Sequence, residues 1–204
     1  TSLLKVGNLS DAERKQALDT IERSARIQTS LVEDLLDVSR VVTGKLNISL
    51  KACDICATVR AAVDALRPFL TEHNLSVNLD LAPLPPVRGD SMRLQQVVWN
   101  LVSNAGKFSP DGGQIWVTLR QEEFRDGVPC LTLKVRDEGQ GISAEFLPQV
   151  FDRFRQADSS STRRHGGLGL GLAIVQHIVG LHDGEVEAQS DGPGCGATFV
   201  VRLP

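Results

Sequence analysis

The sequence lacks three features that would place it at once in a broad class of proteins. It has no excess of basic residues, because 22 Lys and Arg stand against 25 Asp and Glu, and the formal charge of −3 argues against a nucleic-acid-binding surface. No apolar run is long enough to span a bilayer, so we expect no direct membrane contact by this region. The four cysteines are too few and too scattered for a disulfide framework. We expect the cysteines to be reduced and the region to be cytoplasmic, even if the parent protein is membrane-anchored.

The first 45 residues have a helical pattern. Ser10–Glu13 is a capping-box sequence, and no Pro or Gly interrupts the chain from there to Val42, where apolar residues follow steps of three and four along two adjacent stripes. A single helix of about 30 residues cannot bury two stripes by itself. A helical hairpin that dimerises into a four-helix bundle would cover both. The alternative is one long helix lying along its own globular domain.

From residue 46 onward, short strands and helices follow one another. Alternating apolar and polar residues predict strands at Leu46–Leu50, Leu75–Leu81, Gln114–Gln121, Cys130–Val135, Glu185–Ser190 and Ala197–Arg202. Apolar residues three and four apart predict helices at Asp54–His73, from Asp90 through the segment 93–110, near Ala144–Val150 and at Gly169–Leu181. This order predicts a mixed sheet with helices on one face, which is a two-layer α/β sandwich of the α+β class.

The helix over residues 93–110 carries polar side chains opposite its apolar stripe. Asn100 and Asn104 are one helical turn apart, and Lys107 follows after nearly another turn. Carboxamide oxygens are hard ligands that suit Mg²⁺, and the lysine ammonium is a mobile charge for phosphate oxygens. Taken alone, the same pattern also describes an ordinary solvated helix face.

Two glycine-containing segments strengthen the indication of a nucleotide site. Asp137 follows a strand and precedes Gly139 and Gly141, so a carboxylate acceptor stands beside backbone that a flat ligand can approach, which suits an exocyclic amine such as adenine N6. Further along, a helix begins in a glycine-rich segment, where exposed N–H groups form an anion site that phosphates can reach. Its glycines include Gly167, Gly169 and Gly171. A common turn and a flexible loop are the plainer interpretations of these two segments.

Two further segments flank the glycine-rich one. Phe151 and Phe154 precede a polar loop over residues 155–167 and could anchor its base while the loop acts as a lid, or they could be ordinary core aromatics. Residues 192–199 form a predicted tight turn into the last strand, from which Thr198 could reach the edge of the base.

In this order, the segments resemble the nucleotide-binding domain of bacterial sensor histidine kinases. The resemblance covers roughly residues 46–204 and implies a Bergerat-type ATP-binding fold. Residues 1–45 are similar to the C-terminal part of the dimerisation and histidine phosphotransfer hairpin, with Asp-Leu-Leu-Asp-Val-Ser-Arg at 34–40. In that family's terms, the N box comprises Asn100, Asn104 and Lys107, the G1 box Asp137, Gly139 and Gly141, the F box Phe151 and Phe154, the G2 box Gly167, Gly169 and Gly171, and the G3 turn Gly194 and Gly196.

The resemblance also implies roles and partners. Asn104 would coordinate Mg²⁺ on the triphosphate of ATP, Lys107 would contact phosphate oxygens, and Asp137 would select adenine. Asn100 takes the position of a catalytic carboxylate in hydrolytic relatives, and an amide is a poor general base, which favours phosphoryl transfer over hydrolysis. The γ-phosphoryl group would pass to a histidine and then to an aspartate of a response regulator or receiver domain. The chain would form a homodimer through its N-terminal helix.

One part of the family's pattern is absent. The phosphoacceptor lies in an H-E-x-x-x-P segment, and none of the four histidines, His73, His165, His177 and His182, has that context. We expect each of them to be a surface or packing residue. We also expect the acceptor to lie upstream of Thr1, so that this chain binds ATP without phosphorylating itself. The alternatives are a catalytically silent dimerisation and docking module, or an ATP-hydrolysing relative of the gyrase, chaperone or mismatch-repair type.

Overall fold

The computed structural model describes residues 10, 14–18, 20–21, 36, 46–124, 127–156 and 168–204. Residues 14–18, 20–21 and 36 are helical, as predicted, and Leu18 and Ile21 of the predicted stripe are exposed in the single chain. The rest of the predicted N-terminal helix lies outside the described residues. The hairpin, the dimer and the division into residues 1–45 and 46–204 therefore stay predictions.

Most of the described strands form one mixed sheet. In chain order, the strands are β1 (Lys51–Cys53), β2 (Ser76–Leu81), β3 (Val87–Gly89), β4 (Gln114–Phe124), β5 (Val128–Asp137), β6 (Glu185–Gln189) and β7 (Thr198–Leu203). The five-stranded sheet has the order β2-β4-β5-β7-β6, in which β2 and β4 are parallel and the other neighbours are antiparallel. Strands β1 and β3 pair separately as a two-stranded antiparallel ribbon.

In the part of this domain that the structure describes, three α-helices accompany the strands: α1 (Ile55–Glu72), α2 (Ser91–Phe108) and α3 (Gly171–Leu181). The first two begin at aspartate caps, because Asp54 accepts a hydrogen bond from the N–H of Ala57 and Asp90 accepts from those of Met92 and Arg93. A single hydrophobic core contains side chains of all three helices and of β4, β5 and β7. This confirms the predicted two-layer sandwich. Among the described residues, no helix has the length and apolar character required to cross a bilayer.

The register of β4 and β5 decides which side chains face the helices. Val117 lies opposite Val135, and both are completely buried in the core. Two residues along, Ile115 lies opposite Asp137. Because side chains two residues apart lie on the same face of a strand, the carboxylate that ends β5 is directed towards the helix layer.

The structure corrects two predicted elements and adds a third. Leu46–Leu50 is not a strand, because the residues that pair with β3 are those of β1, which begins only at Lys51. The helix predicted near Ala144–Val150 is a short 3₁₀ turn over Leu147–Gln149. Strand β3 was not predicted, since it is only three residues long and follows a proline-rich loop. The other predicted strands and helices are confirmed, with ends that shift by a few residues.

Candidate nucleotide-binding site

Helix α2 carries the predicted magnesium and phosphate residues at positions i, i+4 and i+7. Asn100 is buried, with 6% of its surface exposed, whereas Asn104 and Lys107 are half-buried. Asn100 lies against the first residue of α3, since a Cβ added to Gly171 would stand 2.9 Å from Asn100 Oδ1. Among the described residues, neither Asn100 nor Asn104 has a hydrogen-bond partner for its carboxamide. These amides are therefore available to a ligand.

The carboxylate of Asp137 is held through only one of its oxygens. Oδ1 accepts hydrogen bonds from the N–H of Gly139 at 2.8 Å and of Ala197 at 3.2 Å. Only 5% of the residue is exposed. Burial raises the pKa of Asp137 above its ordinary value, and the two backbone hydrogen bonds offset only part of this effect. Since both donors contact Oδ1, Oδ2 can accept a hydrogen bond from a ligand.

Close backbone contacts explain the glycines around Asp137. At three of these glycines, an added Cβ would overlap a backbone carbonyl oxygen. At Gly141 it would lie 2.1 Å from Gly192 O, and at Gly196 it would lie 2.1 Å from Asp137 O. At Gly139 it would lie 2.3 Å from Phe108 O. Gly141 and Gly196 also have φ angles of +69° and +70°, in the left-handed region that favours glycine. The end of α2, the loop after β5 and the turn before β7 thus form one closely packed wall.

The glycine-rich segment is described only from Leu168 onward, so Gly167 lies outside the described residues. Gly169 has a φ of +68°, and a Cβ at this position would lie 2.6 Å from Arg155 O. Helix α3 begins at Gly171 without a hydrogen bond from a capping side chain. The first N–H groups of this helix therefore lack a capping side chain from Leu170, and their role in phosphate binding stays a prediction.

Phe151 and Phe154 make different contacts. The ring of Phe151 packs edge-on against Phe199, with ring centroids 6.3 Å apart, so it belongs to the edge of the core. The side chain of Phe154 is 62% exposed, and its φ of +60° is unusual for a bulky residue. The idea that both rings anchor the loop is therefore wrong for Phe154. Its backbone makes the contact instead, because its N–H donates to Gly169 O at 3.0 Å.

The structure does not bring Thr198 to this site. Thr198 lies directly opposite Arg136, the residue before Asp137 in β5. Because successive side chains alternate between faces, Thr198 lies on the face of the sheet that is turned away from Asp137. The residue of this turn that contacts Asp137 is Ala197, which sequence reasoning missed. Counting residues back from the buried Phe199 would have placed Ala197 on the inner face.

The donor set fits a hard cation that is only partly held by protein. No group of three or more His, Cys, Asp and Glu side chains in the described part of the chain could hold a metal ion. A carboxamide oxygen together with phosphate and water oxygens is, however, the kind of ligand set that Mg²⁺ accepts. The half-buried amide of Asn104 is placed to contribute to such a set.

The histidines are packing or surface residues where the structure describes them. His182 is buried at the end of α3, and His73 at the end of α1 contacts Asp111 at the surface. His177 lies within α3 beside a groove of about 270 Å³ that Phe151 also lines. His165 lies outside the described residues. For the three described histidines, the predicted packing or surface role is confirmed.

Comparison with known proteins identifies relatives of this chain. Residues 89–204 match the family described as histidine kinase-, DNA gyrase B-, and HSP90-like ATPase. Over 95% of its length, the chain is 37% identical to hybrid signal transduction histidine kinase D of Dictyostelium discoideum. Over 97% of its length, it is 36% identical to the autoinducer 2 sensor kinase/phosphatase LuxQ of Vibrio vulnificus. The chain spans only 14% and 23% of the lengths of these two proteins.

Solved structures of kinases are also similar to this chain. Full-length ShkA in complex with AMPPNP matches with a TM-score of 0.77 and 28% identity, over 99% of this chain and 41% of ShkA. The Acinetobacter baumannii histidine kinase AdeS matches with a TM-score of 0.70 and 27% identity, over 97% of this chain and 86% of AdeS. The predicted resemblance is thus confirmed, although the Dictyostelium relative leaves a bacterial origin as a prediction. The chain belongs to the histidine kinase-, DNA gyrase B- and HSP90-like ATPase family, and it has the fold of the ATP-binding catalytic core of sensor histidine kinases.

Proposed function

We propose that this chain binds Mg-ATP between α2 and the glycine-rich start of α3, as the catalytic core of a sensor histidine kinase. The proposal rests on the different surroundings of the two carboxylate oxygens of Asp137. Its Oδ1 is occupied by two backbone N–H groups, while Oδ2 has no donor among the described residues. The amino group of adenine would donate to Oδ2, and the closely packed glycines would let the ring approach the backbone.

The triphosphate would extend from this wall towards the start of α3. Asn104 would contribute a carboxamide oxygen to Mg²⁺, and Lys107 would contact phosphate oxygens. When bound, Mg²⁺ supplies charge neutralisation on the phosphoryl oxygens. Asn100 is buried against Gly171 and carries an amide, which cannot serve as an effective base for water. This arrangement favours transfer to a protein acceptor over hydrolysis.

The acceptor would be a histidine on a dimerisation and phosphotransfer hairpin. A ring nitrogen forms a bond to the γ-phosphorus while the bond to the bridging oxygen breaks and ADP leaves. The phosphoryl group would then pass to an aspartate of a response regulator or receiver domain. A homodimer through the N-terminal helix and a cytoplasmic location belong to the same proposal. The homodimer derives from the similarity to sensor kinases, and the cytoplasmic location derives from the cysteine content of the sequence.

Isothermal titration with Mg-AMPPNP tests the nucleotide site. We expect the unaltered chain to bind and Asp137→Asn to bind at least about tenfold more weakly, because the amide presents a donor to the adenine amino group. Gly180→Ala in α3 is the matched control, since a Cβ there would have no atom within 4 Å. Its affinity should equal that of the unaltered chain. No binding by the unaltered chain would favour a silent docking module.

Phosphoryl transfer requires a chain that contains the acceptor. In a fusion of this chain to a histidine-bearing hairpin from a related kinase, γ-labelled ATP should give an acid-labile phosphohistidine. Asn104→Ala should remove the label while circular dichroism stays unchanged. Steady ATP turnover by the unaltered chain, without labelled protein, would instead favour the hydrolytic alternative.

A further inference from the structure

The buried ring of His182 has a partner at each nitrogen. His182 follows the last residue of α3, and only 5% of it is exposed. Its Nδ1 lies 2.8 Å from Ile178 O, and its Nε2 lies 3.0 Å from the backbone nitrogen of Asp90. A carbonyl can only accept and an N–H can only donate. The two partners therefore admit one form of the ring, the neutral tautomer that is protonated at Nδ1.

Asp90 connects this ring to two other parts of the domain. Through Oδ1 it accepts hydrogen bonds from the first two N–H groups of α2 beyond Ser91, at 3.1 and 3.2 Å. Through Oδ2 it accepts one from the N–H of Ser49 at 2.9 Å. One residue thus joins the start of α2, the end of α3 and the segment 46–50 that leads into the first strand.

Two of the contacts between α2 and α3 lie near opposite ends of the helix pair. At one, Asp90 N–H donates to His182; at the other, Asn100 lies against Gly171. Ten residues of α2 and eleven of α3 separate the two points, which corresponds to about 15 Å of helix on each side. Both helices are continuous between these contacts and pack together in the core. A displacement at the His182 end is therefore passed to the Gly171 end, where the glycine-rich segment runs into α3.

The side chains around His182, at the start of α2 and the end of α3, are closely packed. A Cβ added to Gly89 would lie 2.7 Å from Leu94 Cδ1 and 3.6 Å from His182 Cδ2. Leu94 is itself almost completely buried. A side chain that cannot accept from Asp90 would leave a partly buried N–H without its partner, which favours a separation of the two helix ends that admits water.

We infer that His182 is a positioning residue for nucleotide binding, which ties the start of α2 to the end of α3 and so fixes the distance between Asn100 and the glycine-rich segment. The inference rests on the proposed nucleotide site and goes beyond it, because His182 contacts backbone groups about 15 Å along the helices from that site. Asp90, which caps α2, is its partner.

Substitutions at His182 distinguish a role in positioning the nucleotide site from a general contribution to the stability of the fold. His182→Leu keeps the bulk and removes both hydrogen bonds, so we expect Mg-AMPPNP to bind about tenfold more weakly. In His182→Gln, the amide oxygen can take the place of Nε2 and accept from Asp90, which should restore most of the affinity. His182→Asn reaches only the Ile178 side and should not restore it. The matched control is Val179→Ala, on the same buried face of α3, which should lower the melting temperature without changing the affinity.

A second measurement does not depend on any variant folding. In the unaltered chain labelled with ¹⁵N-histidine, the long-range ¹H–¹⁵N spectrum should show His182 as the Nδ1-protonated neutral tautomer. A charged ring or the other tautomer would overturn the inference. Equal affinities for the unaltered chain and His182→Leu would overturn it as well, while leaving the proposed function intact. Failure of the unaltered chain to bind nucleotide would overturn both, so the two failures are distinguishable.

Discussion

At Asp137, the two oxygens of one carboxylate have different surroundings. Oδ1 is fixed by two backbone N–H groups, and Oδ2 has no donor within the part of the chain that the structure describes. Burial raises the pKa of this group despite those two bonds. The ionised side chain is therefore less favourable in the folded chain than in the unfolded chain near neutral pH. Such a cost is typical of a residue that serves binding rather than folding.

The substitution Asp137→Asn tests directly whether ionisation of Asp137 destabilises the folded chain. A raised pKa means that the neutral carboxyl stabilises the folded chain at low pH and that this contribution is lost as the pH rises through the folded-state value. Asparagine keeps an acceptor for both N–H groups and never ionises. We compare the free energies of urea unfolding of the variant and of the unaltered chain. We expect the difference, variant minus unaltered chain, to increase from about pH 4 to pH 7. A constant or falling difference would contradict this assignment.

Gly141 and Gly112 form a matched pair, because both have a left-handed backbone. Their φ angles are +69° and +81°, but a Cβ at Gly141 would lie 2.1 Å from Gly192 O, whereas one at Gly112 would meet no atom within 4 Å. Gly112→Ala should therefore cost only the backbone strain, about 1 kcal/mol. Gly141→Ala should cost about 3 kcal/mol or more, since the wall must also shift. Equal losses in urea unfolding would show that the close contact is unimportant.

At this scale, the sequence indicates the chemical type of a residue better than the direction of its side chain. The carboxylate of Asp137 and the carboxamides of α2 could be predicted from residue type and spacing. Thr198 could not be placed correctly without the strand register, which turns it to the other face. Phe154 is exposed because a backbone contact with Gly169 holds it in a left-handed conformation, and no local pattern reveals such a contact.

At the scale of elements, local signals located the helices well. The aspartates that cap α1 and α2 precede clear three-and-four periodicity, so both helices could be predicted almost to the residue. The segment Leu46–Leu50 shows the limit of this approach. Its alternation is that of a strand, yet the pairing with β3 involves only Lys51–Cys53. Whether a short alternating segment forms a strand depends on a partner that lies elsewhere in the sequence.

The cap of α2 gives a prediction at this scale. Burial alone would raise the pKa of Asp90, but hydrogen bonds from the N–H groups of Ser49, Arg93 and Met92 outweigh it and hold the pKa below its ordinary value. The stabilisation is therefore present at neutral pH and is lost as the pH falls through the folded-state pKa. Asp90→Ala should lower the free energy of unfolding by about 1–2 kcal/mol at pH 7 and by less at pH 3. An equal loss at both values would show that the charge does not matter.

At the scale of the whole molecule, the sheet order β2-β4-β5-β7-β6 assembles the site from distant segments. It places the end of β5, the polar face of α2 and the start of α3 around one region, although they are separated in sequence. Periodicity alone predicted the layers but not this order. The resemblance to sensor kinases predicted a Bergerat-type fold without giving the strand order, which only the structure reveals. The predicted N-terminal hairpin falls largely outside the described residues, so it stays a prediction, as do the dimer and the phosphotransfer step that depend on it.

The central claim is that a magnesium-bound adenine nucleotide lies between α2 and the start of α3. A crystal structure of the chain with Mg-AMPPNP tests it most directly. We expect the adenine amino group to donate to Asp137 Oδ2 and the metal to be coordinated by Asn104, with phosphate oxygens near the first turn of α3. A nucleotide bound elsewhere, or this region filled by side chains of the chain itself, would contradict the claim.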